Sequence, residues 1–124
     1  MGDREAIEKA VQLYVDGART GDVGKLKEAF HEDARMFGHL GGQRYDETIG
    51  EMITMLAGQP AGPAYQAKIT DVTVTGDVGI AELHEEGFWG TLSFVDIFSL
   101  AKIDGTWKIV NKIFQHTGGE LPTE

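Results

Sequence analysis

From Tyr65 onward the apolar residues of this chain stop recurring every three to four positions and start alternating, and that change of period constrains the fold more than any other feature. Residues 65–75, 79–89, 92–103 and 106–116 each alternate apolar and polar side chains, as half-buried strands do. Gly76-Asp77 and Asp104-Gly105 separate them with residues that tolerate positive φ, the chemistry of tight hairpins. Four consecutive hairpin-linked strands make an antiparallel meander whose apolar side requires a cover.

The first half supplies the cover. Asp3 can cap a helix that places Ile7, Ala10, Val11, Tyr14 and Ala18 on one face, and Thr20-Gly21-Asp22 reads as a stop followed by a new cap. A second helix carries Val23, Leu26, Ala29 and Phe30, and residues 34–40 read as a strand broken by Gly41-Gly42. A third helix from about Asp46 aligns Ile49, Met52, Ile53 and Leu56, and residues 58–63 form a loop. Helices on one face of an antiparallel sheet give an α+β class, with residues 1–117 as one domain and 118–124 as a polar tail.

The charge balance narrows the partners. Eleven Lys and Arg stand against 20 Asp and Glu, a net charge of -9, which argues against nucleic acid and anionic membranes. Without cysteine there is no disulfide, thiolate zinc site or thiol nucleophile. No apolar run approaches the roughly 20 residues a membrane span needs, and the N-terminus lacks a signal-peptide core, so a cytoplasmic protein is expected.

One residue breaks the strand pattern. Asp96 lies in "FVDIFSL" between Phe94 and Phe98 and shares their inward face, where an unpaired carboxylate is costly. It is either a pocket acid or base, or a structural carboxylate held by Lys112 or a backbone amide. The outcome depends on the last hairpin. A two-residue loop at Asp104-Gly105 sets Asp96 opposite Ile113, with Asn111 and Gln115 on its face. A three-residue loop from Ile103 sets it opposite Lys112 and turns Val110, Phe114 and His116 inward.

The stretches "YVDGARTGDVGKLKEAFHEDA" (14–34) and "FVDIFSLAKIDGTWKIVNKIF" (94–114) carry a family likeness. With them the chain resembles the nuclear transport factor 2-like superfamily, in particular its lumazine-binding-like bacterial branch, related to ketosteroid isomerases and polyketide cyclases. The resemblance implies a strongly curved, mostly antiparallel sheet wrapped around the first and third helices, leaving a conical apolar pocket. It also implies a homodimer through the outer sheet face, where Val95, Ile97 and Trp107 or its neighbours are available. Tyr14 matches the isomerases' oxyanion-hole tyrosine, and Asp96 matches the aspartic acid they keep protonated as a donor. Gly38 stands at their general-base aspartate, which puts steroid isomerisation in question.

Other candidates follow from position. His39, beside the vacant base, can replace it if a bulge at Gly38 turns it inward; strict alternation sends it outward. The second hairpin register, which the resemblance favours, adds Lys112 as a proton carrier. Phe94, Phe98, Met52, Met55, Trp89, Phe114 and His116 are the expected ligand-binding walls. Glu82, His84 and Glu86 alternate on a strand, but no recognised metal spacing is present, and no cofactor is required. The expected function is binding of a small, largely apolar carbonyl or aromatic compound, with acid–base isomerase, lyase or dehydratase chemistry. The alternative is a non-catalytic small-molecule-binding or dimerisation module.

Overall fold

The computed structural model describes residues 2–121, so residues 122–124 of the expected polar tail lie outside the described residues. Helix α1 (Asp3–Thr20) buries Ile7, Val11, Tyr14 and Ala18. Its N-cap is Gly2 rather than Asp3. Asp3 instead accepts hydrogen bonds from Trp107 Nε1 at 3.1 Å and Lys102 Nζ at 3.3 Å, tying the helix start to the last hairpin. Gly21 ends α1 in the left-handed region (φ 74°), and the Asp22 side chain caps α2 (Val23–Ala29) by accepting from Lys25 N.

Strand β1 (Phe30–Leu40) is followed by one that the sequence reading did not expect, β2 (Gln43–Thr48). Gly41 and Gly42, both at positive φ, make the two-residue turn of this hairpin. Helix α3 (Ile49–Gly58) therefore starts three residues later than about Asp46, at a capping box in which Thr48 and Glu51 satisfy each other's backbone amides. "TIGE" carries that signature, but the apolar stripe alone does not show where the helix begins.

The meander follows as β3 (Gln66–Thr75), β4 (Val78–Phe88), β5 (Leu92–Ile103) and β6 (Thr106–Gly118). All strands join one sheet in the order β2-β1-β6-β5-β4-β3, with β1 parallel to β6 and every other pair antiparallel. Irregularities at Ile69/Asp71, Glu85/Phe88, Ser93/Phe94 and Ser99/Leu100 bend the strands, so the sheet curls around α1 and α3. The α+β class with three helices on a curved, mostly antiparallel sheet is thus the observed one.

One bulge decides what faces inward. Ile103 pairs with Thr106, so the last hairpin has a two-residue loop, with Asp104 (φ 50°) and Gly105 (φ 80°) both left-handed. The three-residue loop is not formed, because Asp-Gly already supplies both positive-φ residues. Leu100 faces Ile109 but Ser99 faces Asn111, so Val110 is an extra residue. Before the bulge Trp107 and Ile109 point inward; after it Lys112 and Phe114 do. Trp107 is buried and does not contribute to the outer face.

Candidate functional site

The inner face collects polar groups from four elements at one place. Asp96 comes from β5, opposite Phe114; Lys112 comes from β6, opposite Phe98. Glu85 comes from β4, opposite Phe94, and so lies diagonally next to Asp96. Tyr14 descends from α1, its ring edge-on to Phe30 and Phe98 at 5.7 and 5.4 Å between centroids.

These groups are removed from water. Asp96 is 0% exposed, Tyr14 1%, Glu85 4% and Lys112 6%. Lys112 Nζ lies 3.8 Å from Asp96 Oδ2, within ion-pair range and beyond a hydrogen bond. The ammonium also lies over the rings of Phe114 (4.9 Å) and Tyr14 (5.4 Å) and 3.5 Å from Met36 Sδ. Both the Tyr65 hydroxyl, in a short contact, and the Tyr14 hydroxyl, at 3.5 Å, donate to Glu85 Oε2.

Asp96 is the anomaly. Neither of its oxygens meets a donor among the described residues, unless the Glu85 carboxyl carries a proton and gives it to Asp96. Burial, and then the charge of Asp96, drives the Glu85 pKa well above the ordinary carboxylate value. Raised in this way, Glu85 favours its protonated form, in which it can donate to Asp96 beside Lys112. Two carboxyls, one proton and one ammonium make a buried site of zero net charge, the inexpensive solution for ions in low dielectric. Burial and the neighbouring carboxyls likewise raise Tyr14 and Tyr65, which stay neutral donors.

Tyr14, Glu85, Asp96 and Lys112 edge a narrow cavity of ≈ 50 Å³. Its aromatic walls are Tyr45, Phe88, Trp89, Phe94 and Phe114, and Met36, Leu40 and Met55 complete it. At the rim, Trp89 is held in a left-handed conformation (φ 52°), a strained state for a bulky residue. Its backbone N–H donates to Ala61 O at 2.9 Å and its indole to Gln59 O at 3.0 Å, which clamps the β4–β5 turn onto the segment after α3.

Seven of the expected residues thus line one cavity: Tyr14, Asp96, Lys112, Met55, Trp89, Phe94 and Phe114. Four do not. His39 is exposed, because β1 keeps strict alternation at Gly38 and pairs His39 with Arg44 and Gln115 on the outer face. Met52 is buried in the stripe of α3 that faces the core, one turn before Met55 along the helix. Phe98 lies behind Tyr14 as its support. His116 is half-buried one rung beyond the cavity, its Nε2 2.8 Å from the carbonyl oxygens of Gly118 and Gly119.

The link between Tyr14 and Asp96 runs through Glu85, which sequence reasoning missed together with Tyr65. The signal was present: in "AELHEE" the polar stripe is Glu82, His84 and Glu86, so Glu85 falls on the opposite, apolar parity with Ala81 and Leu83. His84 and Glu82 form an exposed pair at 3.3 Å, and no metal-binding cluster occurs among the described residues. At the vacant base position, a Cβ on Gly38 would come within 2.5 Å of the Phe114 ring. Phe114 occupies the space an acidic side chain at position 38 would need.

Comparison with known proteins agrees with this architecture. Residues 2–115 match the model of the family described as "Putative lumazine-binding". The chain is 27% identical over 110 residues to "Aldolase FrzH" of Cladobotryum sp, an alignment covering 89% of this chain and 88% of that protein. It superimposes on an NTF2-like protein of Methylobacillus flagellatus with TM-score 0.85 at 31% identity, covering 93% of this chain and 92% of the other. A ketosteroid isomerase-like protein of Erwinia carotovora atroseptica shares the fold with TM-score 0.69 at 15% identity, covering 92% and 95% of the two chains.

Proposed function

Since the chain belongs to this lumazine-binding-like family of the nuclear transport factor 2-like superfamily, we propose that it binds a small, largely apolar carbonyl compound in the cavity and carries out acid–base chemistry on it, as a lyase of the aldol type or an isomerase. The observation that carries this reading is Asp96, wholly buried at the cavity with both oxygens lacking a donor from any group but Glu85. A protein interior satisfies its polar groups, and an acceptor left open at a cavity suits a ligand's proton. The aldolase relative supports a carbon–carbon lyase over a dehydratase.

In this reading Lys112 and Tyr14, whose hydroxyl turns from its long bond to Glu85, face the substrate oxygen, where negative charge develops on enolisation, and Asp96 takes the proton from the neighbouring carbon. Glu85 holds the reserve proton. Steroid isomerisation by a side chain at position 38 is disfavoured, since Phe114 fills that space. The same reading takes residues 1–117 as one domain. A second copy covers the outer face, where Phe37, Ile97 and Ile113 are aligned and partly exposed. No helix among the described residues is long and apolar enough to cross a membrane.

The narrowness of the cavity and the direct Lys112–Asp96 pair support a second reading, a non-catalytic binding module. Proton NMR in D2O with propanal and butanone separates the two. The enzyme reading expects faster deuterium uptake at the α-carbon with the native protein and loss of that acceleration in Asp96→Asn. Perturbed Phe94 and Phe114 signals without exchange would favour the module, and the absence of both effects would overturn the carbonyl reading.

A further inference from the structure

We propose that Lys112 is a covalent carbonyl-binding residue, whose Nζ condenses with an aldehyde or ketone in the cavity to form an iminium ion with Asp96 as its counter-ion. The inference deepens the reading above and rests on its assumption that the cavity takes a carbonyl compound.

Lys112 differs from the other six lysines. It is 6% exposed and lines the cavity, with its nitrogen among the lining residues Asp96, Met36, Tyr14 and Phe114, whereas Lys9, Lys25, Lys27, Lys68 and Lys102 are exposed and Lys108 donates to the Glu28 carbonyl at 2.6 Å. Its surroundings contain no strong hydrogen-bond acceptor within bonding distance: a thioether at 3.5 Å, two aromatic rings, and a carboxylate oxygen at 3.8 Å. An amine in a dry, mostly apolar site with a proton acceptor at hand has the setting that imine-forming lysines need.

The condensation balances with groups already present. Nζ passes one proton to Asp96 Oδ2, and its freed lone pair attacks the carbonyl carbon. A C–N bond forms, a second proton moves from nitrogen to the former carbonyl oxygen, and a carbinolamine results. Asp96 returns the first proton to that hydroxyl, water leaves, and the nitrogen is left as a cationic iminium with one proton. The charge is +1 before and after, in the same place, so the Phe114 and Tyr14 rings and Asp96 hold the product as they held the ammonium. The iminium acidifies the adjacent C–H, and Asp96, ionised again, stands beside it.

The test is reductive trapping. The native protein is treated briefly with propanal and sodium cyanoborohydride near neutral pH, and the modified lysines are located by peptide mass spectrometry. Lys112 is expected to carry the propyl group in roughly tenfold excess over any exposed lysine, as fits a cavity that gathers the aldehyde. Lys112→Arg keeps a cation facing Asp96 and should lose that label while remaining folded. Labelling spread over Lys9, Lys25, Lys27, Lys68 and Lys102 with Lys112 unmodified would overturn the proposal. So would α-carbon deuterium exchange that persists undiminished in Lys112→Arg, a result that would leave non-covalent acid–base chemistry standing. Lys112 labelling without any exchange by the native protein would support the covalent site and refute only the catalytic reading.

Discussion

Glu85→Gln is expected to stabilise the protein at neutral pH, against the usual outcome for a buried polar substitution. Glu85 is 4% exposed, receives the Tyr14 and Tyr65 hydroxyls on one oxygen, and lies against Asp96. Burial, then Asp96, raises its pKa in the folded chain. Between the unfolded value and that raised value the folded state holds one more proton, so stability falls as pH rises. The slope is about 1.4 kcal/mol per pH unit, and from an unfolded pKa near 4.3 to pH 7 it accumulates to at most about 3–4 kcal/mol. Glutamine keeps the shape: its amide N–H can replace the acid proton donated to Asp96, and its carbonyl can accept from the tyrosines. The variant should therefore lack the slope. Urea unfolding at pH 5, 6 and 7, followed by fluorescence of Trp89 and Trp107, measures it. The two proteins should nearly coincide at pH 5, with the variant ahead by about 2 kcal/mol or more at pH 7, because only the native protein loses stability along that slope. Parallel pH dependences would refute a protonated Glu85, and so would a variant that is less stable at every pH.

Two other substitutions probe the packing and the outer face. Gly38→Ala puts a Cβ into the Phe114 ring at 2.5 Å and should cost about 1–3 kcal/mol in urea unfolding, with Phe114→Leu in the same chain recovering part of it. Ile113→Lys places a charge in the row Phe37–Ile113–Ile97 and should convert a dimer into a monomer in sedimentation equilibrium; a monomeric native protein would refute the covered sheet face.

Period and punctuation, both local properties, were sufficient for much of the architecture. The alternation from Tyr65 onward and the glycine-containing turns are present as the four strands of the meander, and Gly21-Asp22 separates α1 from α2. Asp96 stood out in the sequence because it interrupts an apolar parity, and the same reasoning applied to Glu85 would have found its partner. β2 was not legible in that way: Gln43–Thr48 shows one face to solvent and carries few apolar residues, so only its pairing with β1 makes it a strand.

The composition of the cavity was decided by tertiary structure. A turn at Asp104-Gly105 alone would have turned Asn111, Ile113 and Gln115 inward. The extra residue Val110 reverses the parity and brings Lys112 to Asp96, because side chains in a strand alternate and a single unpaired residue exchanges the two faces. In the same way Phe114, by filling the space above Gly38, excludes a side chain there, and the regular pairing of β1 around Gly38 leaves His39 outside. The sequence by itself determined the elements, their turns and the presence of a carboxylate in the core, since these depend on neighbours along the chain. Which ammonium, phenols and second carboxyl meet that carboxylate depends on register across strands, and only the folded sheet decides it.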